Sequence, residues 1–286
     1  MGGTLSIETP CKTNLFLAVE GRMPDGYHLI STLFVPVLDG PRDTVSIDFD
    51  APPGIAFESS NAELSGQGNL CCKAAKAYFD AAHSEASVCI KLEKRIPVAA
   101  GLGGGSSDAA ATLLLLNRKL ALFDAERLRE IAVGLGADVP FFLDPRPSQA
   151  GGVGELLEPL TFEAALPPLL IAFPRFPISA AWAYKNLDWA AARADSRSIG
   201  DAIDALRSAD FVRSASLLRN DLSHAVRAKF PLIGMIERSL LDAGALGAQV
   251  SGSGSSVFGA FRSASARDEA RAFFKNSSDW QGVDAF

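Results

Sequence analysis

The stretch PVAAGLGGGSSDAA, residues 97–110, constrains this chain more than any other. Four of the five residues from 101 to 105 are glycine, and an alanine- and leucine-rich run with helical character follows them. Glycine lets the backbone approach a ligand closely, and the first N–H groups of a helix attract an anion. A tight turn capped by Ser107 or Asp108 is the alternative, but it needs only one glycine, and each glycine is entropically unfavourable. The segment therefore favours a phosphate-binding loop.

Composition limits the kinds of protein that this chain can be. With 286 residues, of which 48% are hydrophobic and 21% charged, it can form one large or two modest domains with a substantial core. The net charge of −6 and the lack of a Lys/Arg run argue against nucleic-acid binding. An anionic ligand must therefore be held by local features such as the glycine-rich segment.

Cysteine usage and hydropathy indicate the compartment. The four cysteines form no CxxC pair or spaced framework, which is typical of reduced thiols in a cytoplasmic protein. The first residues lack the pattern of a signal peptide, and the apolar runs are too short or too interrupted by proline to span a membrane. We expect a cytoplasmic protein that acts on small molecules, with no membrane association and no obligatory protein partner.

Hydrophobic periodicity and turn residues predict the elements. Strands are predicted at residues 4–9, 14–21, 31–38, 43–50, 86–97 and 167–174, with a short strand or hairpin at 151–160 and a strand, turn and strand at 247–261. Helices are predicted at residues 69–81, 107–122, 124–135, 231–243 and 265–276. Asp124 is the expected N-cap of the third helix and Pro231 belongs to the first turn of the fourth. The pattern predicts an α+β fold with two domains, residues 1–160 and 161–286.

The glycine pattern differs from several common motifs. It is not GxxxxGK[ST], Ser106 stands where GxGxxG requires its third glycine, and no GxSxG is present. The remaining pattern, P-x-x-x-G-L-G-G-G-S-S, resembles the nucleotide-phosphate loop of the GHMP kinases, which include galactokinase and the homoserine and mevalonate kinases. This resemblance implies that ATP is bound by Pro97, Gly101, Gly103, Gly104, Gly105, Ser106 and Ser107.

Further blocks resemble one branch of that family and follow one another in the expected order. They are PCKTNLFLAVEGRMPDGYHLISTLF, LGADVPFFL, AGGVGE and SGSGSSVF, between residues 10 and 258. The implied activity is ATP-dependent phosphorylation of the 2-hydroxyl of 4-diphosphocytidyl-2-C-methyl-D-erythritol, in the methylerythritol phosphate route to isoprenoids. The implied fold is α+β, the two-domain GHMP kinase fold, with an N-terminal α/β domain like ribosomal protein S5 and a ferredoxin-like C-terminal domain.

Phosphoryl transfer to an alcohol requires a group that accepts the hydroxyl proton. Asp138 in GADVPFF follows a predicted helix end and precedes Val139, which we expect to be extended because Pro140 follows it. From the residues alone, a turn or capping aspartate is the simpler interpretation. The resemblance implies that Asp138 is the catalytic aspartate, that Lys12 lies beside it, and that Asn14 contacts substrate.

Tyr27 and His28 follow an Asp-Gly turn. Each could be structural, but together they could offer a stacking face and a hydrogen-bonding edge to a base. The resemblance implies that they bind the cytosine, with Tyr184 and Lys185 forming the partner wall.

The resemblance also places Asn69 and Lys94 near the adenine of ATP. The three histidines have no paired spacing, so we expect no metal site of the protein's own, and Mg²⁺ arriving with ATP. Ser255 and Ala180 depart from the family pattern, and Ala180 could remove one substrate hydrogen bond. Two alternatives stay open: another small-molecule GHMP kinase, or a catalytically idle nucleotide-binding protein.

Overall fold

Two long strands open the chain. In the computed structural model, which describes residues 3–286, β1 (Thr4–Arg22) and β2 (His28–Asp48) run unbroken where four shorter strands were predicted. The expected breaks near Pro10 and Pro41 are therefore wrong. Proline has a φ close to that of extended backbone and lacks only the N–H donor, so a strand can pass through it where that donor is not needed.

The other elements complete an α+β fold. The remaining strands are β3 (Gly54–Ser59), β4 (Ser87–Glu93), β5 (Ser148–Gly151), β6 (Leu156–Pro159), β7 (Leu169–Phe173), β8 (Arg219–Asn220), β9 (Gly247–Val250), β10 (Val257–Ala260) and β11 (Asp284–Ala285). The helices are α1 (Leu70–Ala81), α2 (Gly104–Leu120), α3 (Ala125–Leu135), α4 (Ala180–Lys185), α5 (Trp189–Ala194), α6 (Ile199–Arg207), α7 (Phe211–Ser216), α8 (Ser223–Lys229), α9 (Pro231–Asp242) and α10 (Ala264–Asn276). Between residues 3 and 286, no helix is both long and apolar enough to cross a membrane.

Two predicted helix starts are confirmed. The side chain of Asp124 accepts a hydrogen bond from the Arg127 N–H at the start of α3, and Pro231 is the first residue of α9. Helix α2 begins at Gly104, three residues before the predicted start, because two of the glycines join the first turn.

Val139 is helical, with φ −63° and ψ −43°, so the expectation of an extended residue before Pro140 is wrong. Its N–H bonds the carbonyl of Gly136, and this turn outweighs the preference imposed by the proline.

The chain forms two compact units, and each is assembled from separate stretches. The first unit contains the described residues up to Cys11, Pro41–Ile96 and Gly103–Pro145. The second unit contains Lys12–Gly40, Pro97–Leu102 and Arg146–Phe286. Because the stretches interleave, the linear boundary at residue 160 stays a prediction.

The first unit contains a sheet and three helices, and α1 packs on β3. Strand β4 pairs with β2 in antiparallel fashion and with β3 in parallel, and α1, α2 and α3 pack on one another. Fully buried side chains of these elements include Ile47, Ile90, Tyr78 and Leu113. Helices α1 and α3 therefore hold α2, which carries the glycine-rich N-terminus.

In the second unit, a four-stranded sheet of order β11-β7-β10-β9 packs against α9. Strand β8 lies parallel to β1, and the β5–β6 hairpin extends β2. The core joins residues that are distant in sequence, because Leu17, Val19 and Ile30 belong to the same buried cluster as Leu170 and Leu240.

Candidate active site

The glycine-rich segment contains two left-handed residues. Gly101 has φ +77° and Gly103 has φ +72°, a conformation that side chains other than glycine rarely adopt. In the second unit, a Cβ on Gly101 would lie 2.0 Å from the carbonyl oxygen of Ser251. Glycine is therefore required at position 101 by both the backbone conformation and the close approach.

In the first unit, the N-terminus of α2 presents unpaired donors. Its first intrahelical hydrogen bond runs from the Ser107 N–H to the Gly103 carbonyl, at 2.9 Å. The N–H groups of Gly104, Gly105 and Ser106 consequently lack intrahelical partners, and the N-cap residue Gly103 supplies no side-chain bond. Three free donors at the positive end of a 17-residue helix form a site suited to a phosphate group.

The two serines of this turn differ in what they can offer. The Ser107 hydroxyl is fully buried and donates to the Pro10 carbonyl at 2.6 Å, so it accepts from the Thr9 hydroxyl, 2.5 Å away. Ser107 thereby ties the helix start to β1, and its predicted contact with ATP stays a prediction. Ser106 is only half-buried, and its hydroxyl is the one that could reach a bound phosphate.

Lys94 lies directly beneath the first turn of α2. A Cβ on Gly104 would meet Ile96 Cγ2 at 2.9 Å and Lys94 Nζ at 3.2 Å. The Lys94 ammonium pairs with the carboxylates of Asp43 and Asp108, and its side chain is only 6% exposed. Burial alone would lower the pKa of Lys94, but the negative charges of Asp108 and Asp43 outweigh it and raise that pKa. The Lys94 ammonium is therefore held in a buried ion cluster. Its predicted role at the adenine stays a prediction.

Asn69 is the N-cap of α1. Its side-chain oxygen accepts from the Cys71 N–H at 2.9 Å, and its amide donates to the Leu64 carbonyl at 3.1 Å. These bonds fix both ends of the amide, so a contact with adenine, which remains a prediction, would have to use its remaining hydrogen-bonding capacity.

Lys12 and Asn14 form a buried polar network in the second unit. Lys12 Nζ donates to Asn14 Oδ1 at 2.9 Å and lies 4.7 Å from the centroid of the Phe34 ring. Asn14 Nδ2 donates to the Thr32 hydroxyl at 2.7 Å, which in turn donates to the Phe16 carbonyl. The network orients the Asn14 amide and holds the positive charge of Lys12, which is 5% exposed.

Asp138 belongs to the first unit. It is half-buried in the turn that links α3 to the short 3₁₀ helix Pro140–Leu143, and Val139 and Pro140 beside it are buried. The turn that carries Asp138 therefore lies between α3 and the 3₁₀ helix, which contact each other. Its assignment as the catalytic base stays a prediction.

The second unit brings the aromatic residues together. The His28 ring stacks on Tyr184 with centroids 5.0 Å apart and on Trp189 with centroids 6.0 Å apart. Tyr27 is 65% exposed and Lys185 is also exposed, so both side chains are open to a ligand. Burial, and then the positive charge of Arg22, lower the pKa of His28, so the ring is neutral near pH 7. Trp189 was missed as a site residue by sequence reasoning, because a lone tryptophan in ordinary helical spacing belongs to no motif.

The loop from Ser251 to Ser256 also packs on residues of the glycine-rich segment within the second unit. The Ser251 hydroxyl donates to the Gly101 carbonyl at 2.9 Å, and the Ser256 N–H donates to the Ala100 carbonyl at 3.1 Å. The Ser255 hydroxyl donates to the Phe176 carbonyl. Ser255, which departs from the family pattern, therefore makes a hydrogen bond that alanine could not make.

Within the part of the chain that the structure describes, the titratable side chains form no ready metal site. Among residues 3–286, no group of three or more His, Cys, Asp or Glu side chains could hold a metal ion. All four cysteines are free thiols, and burial raises the pKa of Cys71 to about 12.

Comparison with known proteins places this arrangement in a family. The N-terminal domain of the GHMP kinases matches residues 69–144, and their C-terminal domain matches residues 202–278. The chain is 41% identical to the 4-diphosphocytidyl-2-C-methyl-D-erythritol kinase of Syntrophotalea carbinolica, covering 98% of this chain and 97% of that protein. It is also 41% identical to the enzyme of the same name from Solidesulfovibrio magneticus, covering 90% of this chain and 88% of that protein.

Solved structures agree with these matches. A crystal structure of 4-(cytidine 5'-diphospho)-2C-methyl-D-erythritol kinase superposes with a TM-score of 0.83 at 32% identity, covering 98% of each chain. The homoserine kinase of Cytophaga hutchinsonii superposes with a TM-score of 0.79 at 19% identity, a likeness of fold alone.

The fold and both matched domains define a GHMP kinase, so the expected two-domain α+β GHMP kinase fold is confirmed. Within that class, the chain belongs to the 4-diphosphocytidyl-2-C-methyl-D-erythritol kinase family.

Proposed function

We propose that this kinase transfers the γ-phosphoryl group of ATP to the 2-hydroxyl of 4-diphosphocytidyl-2-C-methyl-D-erythritol, in the route that supplies isoprenoid precursors. The observation that carries the proposal is the 41% identity, over nearly the full length of both chains, to a protein named for that activity. The free donors at the N-terminus of α2 support it, because they suit the phosphates of ATP.

The ATP phosphates bind at the glycine-rich turn in this proposal. The N–H groups of Gly104, Gly105 and Ser106 donate to phosphate oxygens, while Gly101 and Gly103 give the backbone its left-handed turns. Mg²⁺ enters with ATP as part of the substrate, since it prefers phosphate and water oxygens.

Asp138 and Lys12 supply the chemistry on the protein's side. The Asp138 carboxylate accepts the proton of the attacking hydroxyl, and the buried Lys12 ammonium stabilises the negative charge that develops on that oxygen. Asn14, oriented by Lys12 and Thr32, contacts the substrate. These roles rest on the family pattern, on the burial of Lys12 and on the hydrogen bonds of Asn14.

The cytosine binds at the aromatic cluster formed by Tyr27, His28 and Tyr184. The exposed Tyr27 ring offers a stacking surface, and a neutral His28 can both donate to and accept from the edge of a base. Lys185, exposed in the same region of the second unit, completes the wall. A cytoplasmic location and independence from other proteins stay part of this proposal.

The test is ADP release by the purified protein with MgATP and, separately, the cytidylated erythritol, mevalonate, homoserine or galactose. We expect turnover only with the cytidylated substrate. The matched control is Asp138→Asn, which keeps the shape of the side chain but cannot accept the proton, so it should bind ATP and lose about 10²- to 10⁴-fold in kcat.

Other outcomes contradict specific parts of the proposal. Turnover with mevalonate, homoserine or galactose identifies another GHMP kinase. ATP binding without turnover of any substrate identifies an idle nucleotide-binding protein. A kcat near that of the wild type in Asp138→Asn removes this residue from the role of base.

A further inference from the structure

A buried cluster of charges lies under the predicted phosphate site. It consists of one ammonium, Lys94, and two carboxylates, Asp43 and Asp108. Asp43 and Asp108 are 0% and 3% exposed, so the cluster is shielded from water. With both carboxylates ionised it carries a net charge of −1, and with one of them protonated it is neutral.

The two carboxylates are not equivalent. Asp43 Oδ1 accepts from the N–H groups of Arg95 and Ile96, at 2.6 and 2.9 Å, while its other oxygen pairs with Lys94. Asp108 Oδ2 accepts from Lys94 at 2.9 Å, but Asp108 Oδ1 is buried without a hydrogen-bond partner. The Asp43 carboxylate is therefore stabilised by more hydrogen bonds than that of Asp108, so a proton added to the cluster goes to Asp108.

The cluster lies close to where a phosphate would bind. Asp108 is four residues after Gly104, one turn along α2, and helical side chains lean toward the N-terminus. Lys94 Nζ is the atom that a Cβ on Gly104 would approach within 3.2 Å. A phosphate bound by the first turn of α2 would therefore feel the net charge of the cluster.

We propose that Asp108 is a positioning residue whose carboxyl group holds the Lys94 ammonium beneath the first turn of α2 and takes up a proton when nucleotide phosphates bind there. The proposal rests on the ATP site proposed above. An ionised Asp108 opposes the incoming phosphates, whereas a protonated one leaves Lys94 and Asp43 as a neutral pair beneath them.

The groups that face Asp108 support this assignment. Burial, followed by the charge of Asp43, raises the pKa of Asp108 to about 7 even though Lys94 acts in the opposite direction. Cys71, from the neighbouring helix α1, stays a neutral thiol near that pH because its own pKa is raised to about 12. Since the bound phosphates favour the protonated carboxyl further, proton uptake is expected at and just above pH 7.

The decisive experiment measures the protons taken up when MgAMPPNP binds, by titration calorimetry in buffers of different ionisation enthalpy, for the wild type and Asp108→Asn. Protons gained or lost by the nucleotide itself are common to both proteins. Between pH 7 and 8, we expect the wild type to take up a fraction of a proton more than Asp108→Asn, and near pH 5.5 we expect no difference. Asp80→Asn, which removes an exposed carboxylate of α1, is the matched control and should behave like the wild type.

The affinity for MgAMPPNP should depend on pH for the same reason. Between pH 6 and 8.5, the affinity of the wild type for MgAMPPNP should fall by up to about tenfold relative to that of Asp108→Asn. Equal proton uptake and a constant affinity ratio at every pH would overturn the proposal while leaving the kinase activity intact. Failure of the wild type to bind MgAMPPNP would overturn both this proposal and the proposed function.

A second measurement needs no nucleotide. Because folding raises the pKa of Asp108 above its ordinary value of 3.8, the stability linked to this group is present at low pH and is lost as the pH rises toward about 7. Asp108→Asn lacks this titration, so its unfolding free energy relative to the wild type should be higher at pH 8 than at pH 5. A pH-independent difference would show that Asp108 is not the group that takes up the proton.

Discussion

At the scale of single residues, Trp189 shows how a side chain outside any motif can shape a site. Its ring stacks on His28 with an interplanar angle of 26°, and the guanidinium of Arg193 lies 5.7 Å from the same indole. His28 also stacks on Tyr184 at 27°. Two near-parallel contacts restrict the rotation of the imidazole, so they determine which ring edge is offered to a base.

We predict that Trp189→Ala raises the KM for the cytidylated substrate by about 2- to 12-fold, the equivalent of losing one aromatic contact of 0.5–1.5 kcal/mol. The KM for ATP should stay unchanged, and Trp189→Phe should restore most of the affinity. Steady-state kinetics with both substrates tests this. A loss shared equally by ATP would assign Trp189 a general structural role.

The same variant should change the titration of His28. Burial is the main cause of its lowered pKa, and the removal of the indole exposes the ring, so we expect the pKa to rise toward the ordinary value of 6.5. Proton NMR of the imidazole signals, with His28→Gln to assign the resonance, measures the shift. An unchanged His28 pKa in Trp189→Ala would show that the indole does not shield the ring.

At the scale of elements, two glycines of the same segment differ in how strictly the structure requires glycine. Gly101 requires a left-handed backbone and leaves no space for a Cβ, whereas Gly105 is helical and a Cβ there meets only Leu70 Cδ1, at 3.3 Å. The sequence shows a run of glycines but not which of them are left-handed, because that depends on where α2 begins.

We predict that Gly101→Ala lowers the unfolding free energy by more than the strain at a positive φ alone, which is about 1–3 kcal/mol. The reason is that the clash with the Ser251 carbonyl adds to this strain. Gly105→Ala should change the unfolding free energy by less than about 1 kcal/mol, because alanine is the better helix former. Urea unfolding of both variants gives the comparison. Equal losses would contradict the assigned backbone conformations.

At the scale of the whole molecule, the two compact units draw on interleaved stretches of chain. The second unit needs Leu17, Val19 and Ile30 for its core, and the Val19 N–H donates to Asp221 at 2.7 Å. Leu17, Val19 and Ile30 lie more than a hundred positions before residue 161, the predicted start of the C-terminal domain. A cut at the linear boundary therefore removes part of the core.

We predict that a fragment of residues 161–286 does not fold cooperatively, because it lacks the three apolar side chains that β1 and β2 contribute. Circular dichroism during thermal unfolding tests this, with co-expression of residues 1–160 as the control that should restore a folded complex. A sharp unfolding transition in the isolated fragment would support residue 160 as a true domain boundary.

Features that depend on neighbouring residues were predictable from the amino-acid sequence. The cap at Asp124, the helical stripes, the strand pair of β9 and β10, and the glycine-rich entry to α2 follow from short-range hydrogen bonding and hydrophobic period. The family motifs also lie in short contiguous blocks, so the kinase class was predictable from them.

Which distant groups meet depends on how the elements pack in three dimensions. It pairs Lys94 with Asp43 and Asp108, engages the Ser107 hydroxyl with Pro10, and stacks Trp189 on His28. Each contact joins residues that are not adjacent in the chain, and each is selected by how sheets and helices pack rather than by local preference. Burial then determines their chemistry, because the charge on a carboxyl such as Asp108 depends on the charges and solvent that the fold places around it.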